Sequence, residues 1–493
     1  MILEPQSKFT VDEVEEILGE SSFKLSPKAV QKCQRAFDRV QQLALSNEAI
    51  YGVNTGFGRL AQVKISGDSL YELQVNLLRS HASGVGEATS DEVVRRLLLL
   101  RAISLGKSFS GLSPQMVQRH LDYLTHDLIP WIPVQGSVGA SGDLAPLAHL
   151  GLTFMGEGAF KAGDRKVKAA AALKSKRLKA LTVYAKEGLA LINGTQFSLA
   201  LSLQVLKEIK ELWPWMLHAI ALSVEGHRAT DSVYREDLHS LKAHPHQQMV
   251  AKQIRDLLKG SQHMKSHEDC EIVQDAYSFR CIPQVMGPCL SILERAEEIL
   301  QDEVNSVSDN PVLLGQELVS GGHFHAQSVS MASDLLTMSM VTMGNLLERR
   351  VDQVVNPSTT RSASFLADRP GVESGLMIVH TALSALASEN KTLAFPASAD
   401  TISTNGNQED HVSMAPWAAR KAHLVVTNLR RMVAGEILCG VRACVLESRK
   451  SKASFAPAVE KFLKQLQSEV PSLFRSGDRI FSDDLQQLEE LMR

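Results

Sequence analysis

Apolar residues recur at three- and four-residue steps over long stretches of this chain. Leu290, Leu293, Ala296, Leu300, Val304 and Val307 form one such stripe, and the spacing predicts an amphipathic helix halted by Ser308-Asp309-Asn310-Pro311. A second long apolar run, Phe324 to Val355, is interrupted by Gly344, and a third is carried by Val425, Leu429, Met432, Val433 and Ile437. Before about Asn193 the predicted helices are shorter. Thr10 with Glu13 and Thr89 with Glu92 have the spacing of capping boxes, while Ser26-Pro27 and Ser113-Pro114 place a cap before a first-turn proline. Two-residue alternation is scarce, so few strands are expected. The pattern predicts a mainly α protein: an N-terminal domain of short helices and loops over residues 1–195, then a long-helix bundle over 196–493.

Composition narrows the class without changing that picture. With 493 residues, 44% apolar, 22% charged and a net charge of −3, the chain reads as an ordinary globular protein rather than a disordered or nucleic-acid-coating one. The basic cluster Lys174 to Lys179, "KSKRLK", lacks interleaved aromatics and is expected to be a solvated face, so no nucleic acid partner is implied. "MSMVTM", Met338 to Met343, is expected to fill core space. The N-terminal "MILEPQSKFT" does not have the basic and apolar regions of a secretory signal. The uncharged window between Glu187 and Lys207 carries "NGTQ" at its centre, which predicts a buried core segment rather than a membrane span. Six cysteines without C-x-x-C spacing argue against disulfides and zinc, and free thiols fit a cytoplasmic protein. Sixteen histidines show no paired-ligand spacing, so no metal is expected.

The candidate chemistry begins at "GSVGASGDLAPLAHL", Gly136 to Leu150. Read locally, it is a glycine-rich connection into a helix, with Asp143 placed to accept from free N–H groups at the helix start. No phosphate-binding glycine spacing is present. The stretch does not stand alone. "YGVNTGFG", "SHASGVG", "LINGTQ", "QDAYSFRC", "GGHFHAQ", "ALASENKTLAFPAS" and "NQEDHVSMAP" accompany it in order between Tyr51 and Pro416. With this ordered set the chain resembles the histidine ammonia-lyase family, whose members turn an internal Ala-Ser-Gly into a built-in electrophile, 4-methylidene-imidazol-5-one.

The resemblance implies an aspartase/fumarase-like helical architecture, a homotetramer with shared active sites, and no external cofactor. It also implies elimination of ammonia from L-histidine to give trans-urocanate, the opening step of histidine degradation. Carried over residue by residue, Ala140, Ser141 and Gly142 become the electrophile, with Asp143 assisting its formation. Tyr51 corresponds to the base for the β-proton, and because a phenol ordinarily titrates near ~10 the site must supply donors or positive charge to use it. Arg280 corresponds to the bidentate partner of the substrate carboxylate. Asn193, Gln274 and Tyr277 match substrate-contacting or proton-handling positions, and Phe324 an aromatic packed beside the electrophile. Ser80-His81 and Glu409 stand where relatives acting on phenylalanine or tyrosine tend to carry Phe-Leu or His-Leu, and a glutamine. Polar groups there suit imidazole, whose two nitrogens need partners once desolvated. Three positions depart from the family pattern: Ile103 for an asparagine, Ser108 for a glycine and His323 for an asparagine. The competing readings are the same chemistry on tyrosine or phenylalanine, an aminomutase, and a catalytically silent helical scaffold.

Overall fold

The computed structural model describes residues 1–46, 48–56, 65, 67–266 and 273–493. Its contacts divide the chain into two compact units. The first comprises Met1–Gln204, Ala296–Asp334 and Pro396–Arg420, and the second Val205–Arg295, Leu335–Phe395 and Lys421–Arg493. Two segments far from the N-terminus thus join the first 204 residues, which a single division of the sequence near residue 195 does not express. The last residues of "YGVNTGFG", Phe57 and Gly58, and Cys270 lie outside the described residues; the other five cysteines are free thiols.

The long apolar stripes form long helices. The first becomes Ile282–Val304, with Leu293, Ala296, Leu300 and Val304 buried. It ends three residues before Val307, and Ser308 to Asn310 are buried in an irregular segment instead. The second becomes Gln327–Val355 and the third lies within Ala415–Lys450, where Val425, Leu429, Met432, Val433 and Ile437 have no exposed surface. Inside the second unit Arg350 pairs with Glu436 through two bonds of 2.5 and 2.8 Å, and Ser223 also donates to that carboxylate at 2.9 Å. Such a buried pair holds only while its remaining lone pairs are satisfied, and the serine does this.

Several local expectations are refined. Thr10 and Glu13 form the capping box that the spacing predicts. At Thr89 they do not: the cap is Ser90, whose side chain accepts from Val93 N, and the Thr89 hydroxyl donates to Ile132 O at 2.9 Å. Ser26 caps through Ala29 N, whereas Ser113 holds the cap position without a side-chain bond. Met340 and Met343 are buried as core filler, but Met338 is 47% exposed. Lys174, Lys176, Arg177 and Lys179 are exposed. The described strands form four two-stranded sheets, three antiparallel and one parallel. Among the described residues no helix is long and apolar enough to cross a membrane.

The departures from the family pattern have visible settings. Ile103 is fully buried in the Asp91–Gly106 helix. Ser108 adopts φ +73°, the left-handed region that favours glycine, and its hydroxyl donates to Gly106 O at 3.2 Å. His323 is exposed, and its charge opposes the upward push that burial gives the Glu303 carboxyl.

Candidate active site

The glycine-rich loop closes on itself through glycines in backbone angles that side chains resist, Gly136 at φ +129° among them. Gly139 has φ +69° and Gly142 φ +75°. Gly142 also lies against a second loop: a Cβ built on it would stand 2.2 Å from the Gly194 carbonyl oxygen. That carbonyl accepts from Asp143 N at 2.8 Å, so the two loops run side by side at this point. Ser413 Oγ donates to Gly139 O at 3.1 Å and Met414 N to Val138 O at 2.9 Å, pinning the other side of the loop.

Asp143 does not cap the Leu144–Phe154 helix that it precedes. Its carboxylate accepts from Ser198 N at 2.8 Å and Ser198 Oγ at 2.9 Å, and it is wholly buried. Burial raises its pKa from 3.8 to about 6, against the pull of the Ser198 donors and the Arg101 charge. Because the folded value lies above the unfolded one, the contribution of Asp143 to stability is complete below about 4 and is lost as pH rises through about 6. Asp143→Asn is therefore expected to flatten the fall in melting temperature across that interval. An unchanged slope in melts at pH 4, 5, 6 and 7 would show that Asp143 titrates at its ordinary value.

A cavity of about 700 Å³ opens over the loop, and Tyr51, His81, Ala140, Ser141, Asn193, Phe324 and Glu409 all line it. Apart from Ala140 and Ser141, which share the loop, each arrives on a different element. Tyr51 begins a turn stitched by Asn54, whose Oδ1 accepts from Ile50 N at 2.7 Å and whose Nδ2 donates to Glu48 O at 2.8 Å. His81 is the last residue of the Leu70–His81 helix, its Nδ1 2.9 Å from Leu77 O. A carbonyl only accepts, so Nδ1 carries the proton there and Nε2 of the neutral ring is an acceptor. Burial lowers the His81 pKa, opposed by Leu77 O and the charge of Glu409. Asn193 follows the Glu187–Ile192 helix, and its Oδ1 is buried without a hydrogen-bond partner. Glu409 is held by a short bridge to Thr404, whose hydroxyl donates to Oε2 at 2.7 Å; its Oε1 accepts from Ser141 Oγ at 3.0 Å.

Gln274, Tyr277 and Arg280 belong to the second unit and are not among the residues lining this cavity. Tyr277 is 69% exposed, with the Arg280 guanidinium 4.7 Å from its ring centre, and Gln274 is exposed beside them. The cavity also contains residues not singled out in the sequence. His325 and His411 face each other at 5.4 Å between ring centres, and Asn310 and Ser320 complete one wall. The two histidines sit inside "GGHFHAQ" and "NQEDHVSMAP", so only the motifs could have pointed to them.

The aromatic amino acid lyase profile matches residues 9–468. The histidine ammonia-lyase of Geobacillus thermodenitrificans is 42% identical over 470 residues, covering 95% of this chain and 92% of that one. The crystal structure of histidine ammonia-lyase from Trypanosoma cruzi superposes with a TM-score of 0.89 at 35% identity, over 100% of this chain and 93% of that one. The tyrosine aminomutase of Streptomyces globisporus superposes with a TM-score of 0.92 at 30% identity, over 99% and 96%. The helical, fumarase-like architecture is common to these proteins. A profile match across almost the whole chain, together with relatives of such identity and coverage, establishes that this chain belongs to the aromatic amino acid lyase family.

Proposed function

We propose that this chain eliminates ammonia non-oxidatively from L-histidine, giving trans-urocanate, with a methylidene-imidazolone made from Ala140, Ser141 and Gly142. The observation that carries the proposal is the convergence of Tyr51, His81, Ser141 and Glu409 on one cavity, with Ser141 3.0 Å from Glu409. The tripeptide's setting fits the group. Gly142 is folded into a left-handed conformation, no side chain could be tolerated there, and Asn193, whose buried Oδ1 has no partner, lines the same cavity. When present, the group supplies an electrophilic carbon that captures the substrate amine and improves it as a leaving group.

The chain's own residues do the remaining work. Tyr51 takes the β-proton. His81 Nε2 accepts from one N–H of the substrate imidazolium and the Glu409 carboxylate from the other, so neither nitrogen is desolvated unpaired. Asn193 orients the amino acid, Phe324 packs beside the electrophile, and Asp143 assists its formation. Tyr277 and Gln274 are exposed and Arg280 is half-buried in the single chain; in a homotetramer a neighbouring copy supplies them, with Arg280 gripping the carboxylate. The enzyme works in the cytoplasm, in keeping with the five free thiols among the described residues.

The test is substrate choice. Purified protein given L-histidine, L-tyrosine and L-phenylalanine separately is expected to produce the ultraviolet-absorbing acrylate from L-histidine in preference. His81→Leu leaves an imidazole nitrogen unpaired and is expected to lower kcat/KM for L-histidine about ten- to a hundredfold, while relatively improving L-phenylalanine. A wild type that prefers tyrosine or phenylalanine, or that yields a β-amino acid, would assign the cavity to another member chemistry of the family. No product from any of the three would favour a silent scaffold.

A further inference from the structure

Behind the electrophile loop lies a buried cation that the reading above does not use. Arg101, in the Asp91–Gly106 helix, is 1% exposed. Its Nη1 donates to Asn193 O at 2.8 Å and to Gln196 Oε1 at 2.7 Å, and its Nη2 donates to Ala190 O. These acceptors bracket the end of the Glu187–Ile192 helix and the turn after it, where carbonyls lack intrahelical partners. The same guanidinium also stands behind Gly194. A Cβ built on that residue would meet Gln196 Oε1 at 2.4 Å and Arg101 Nη1 at 2.8 Å. Gly194 in turn stands against Gly142, as described. Three groups are therefore stacked: a fixed guanidinium, a glycine without room to retreat, and the glycine whose nitrogen must close the ring.

We propose that Arg101 is a positioning residue for formation of the electrophile, acting as the rigid backing that holds Gly194 against Gly142 and keeps the Ala140-Ser141-Gly142 backbone folded for ring closure. The proposal rests on the methylidene-imidazolone reading. In that closure the Gly142 nitrogen bonds to the Ala140 carbonyl carbon, and the carbonyl oxygen leaves as water with the amide protons of Gly142 and Ser141. Ser141 then loses its α-hydrogen and hydroxyl as a second water, leaving the carbon–carbon double bond. No oxidant or external reactant is required. The chain's contribution is geometric: an amide nitrogen is a poor nucleophile, and only a backbone held in a near-attack arrangement brings it to the carbonyl two residues back. Lysine cannot replace the guanidinium here, since a single ammonium cannot reach three acceptors in one plane.

The experiment is peptide mass spectrometry of the folded, soluble pool, sampled over time after expression. The wild-type peptide containing Ala140 to Gly142 is expected to be two waters lighter than its sequence. In Arg101→Lys the converted fraction at early times is expected to fall at least about tenfold, the scale of losing a charge-assisted hydrogen bond. Lys186→Met is the control, because Lys186 forms a buried pair with Asp309 at 2.6 Å without touching Gly194. It is expected to lower the melting temperature while converting fully. Should Arg101→Lys fail to fold, Gln196→Met decides: it keeps the guanidinium with one acceptor fewer and is expected to slow conversion. Full conversion at the wild-type rate in folded Arg101→Lys overturns the proposal, as does full-rate conversion in Gln196→Met when it alone folds. An equal loss in Lys186→Met overturns it too, by tracing the effect to general destabilisation. An unmodified wild-type peptide would instead remove the methylidene-imidazolone reading itself, and this inference with it.

Discussion

Ser141→Ala is expected to abolish ammonia release from L-histidine, with kcat down on the order of a thousandfold or more, because alanine has no hydroxyl to lose and cannot yield the methylidene carbon. The fold should survive. Ser141 is half-buried, and the Glu409 carboxylate that its hydroxyl meets in the unconverted chain is itself only half-buried, so alanine there strands no fully buried polar group. The discriminating measurement pairs acrylate absorbance with a thermal melt. Loss of turnover with a nearly unchanged melting temperature is the expected result; wild-type-like turnover would sink the electrophile. Borohydride or cyanide, which add to such a carbon, should inactivate the wild type.

The second large effect is expected at Tyr51. Tyr51→Phe keeps the ring that lines the cavity and removes only the phenolic oxygen, so the packing of the turn held by Asn54 should be preserved. A positioned base contributes at least about a hundredfold, and kcat should fall by that factor while KM changes little. A variant in which KM alone rises would make Tyr51 a binding residue. The base would then have to be sought at Tyr277, the next phenol among the positions that match the family motifs. The two variants separate cleanly: Ser141→Ala should lose the two-water mass difference of its tripeptide, and Tyr51→Phe should retain it.

By itself the sequence determined whatever depends on neighbours along the chain. Apolar spacing over Leu290 to Val304 and Val425 to Ile437 is a local property, and those helices formed with the expected faces buried. The Ala-Ser-Gly tripeptide is likewise local, as is the need for glycine where φ turns positive at Gly142. The family motifs marked Tyr51, His81, Asn193, Phe324 and Glu409, and all of them line one cavity. Only the tertiary structure decided what those residues touch. Ser141 and Glu409 are 268 positions apart, and no spacing rule brings a hydroxyl and a carboxylate together over that distance. Asp143 reads locally as a helix cap, yet the chain passing at Ser198 offers it two better donors in a fully buried place. Arg101 reads as one more charged residue in an apolar helix. Its importance comes from three carbonyl-type acceptors roughly ninety residues downstream, which only the folded path gathers around one guanidinium. Burial and long-range hydrogen bonding depend on where the chain returns to itself, which is why local pattern could supply the parts of this site and the fold had to supply their partners.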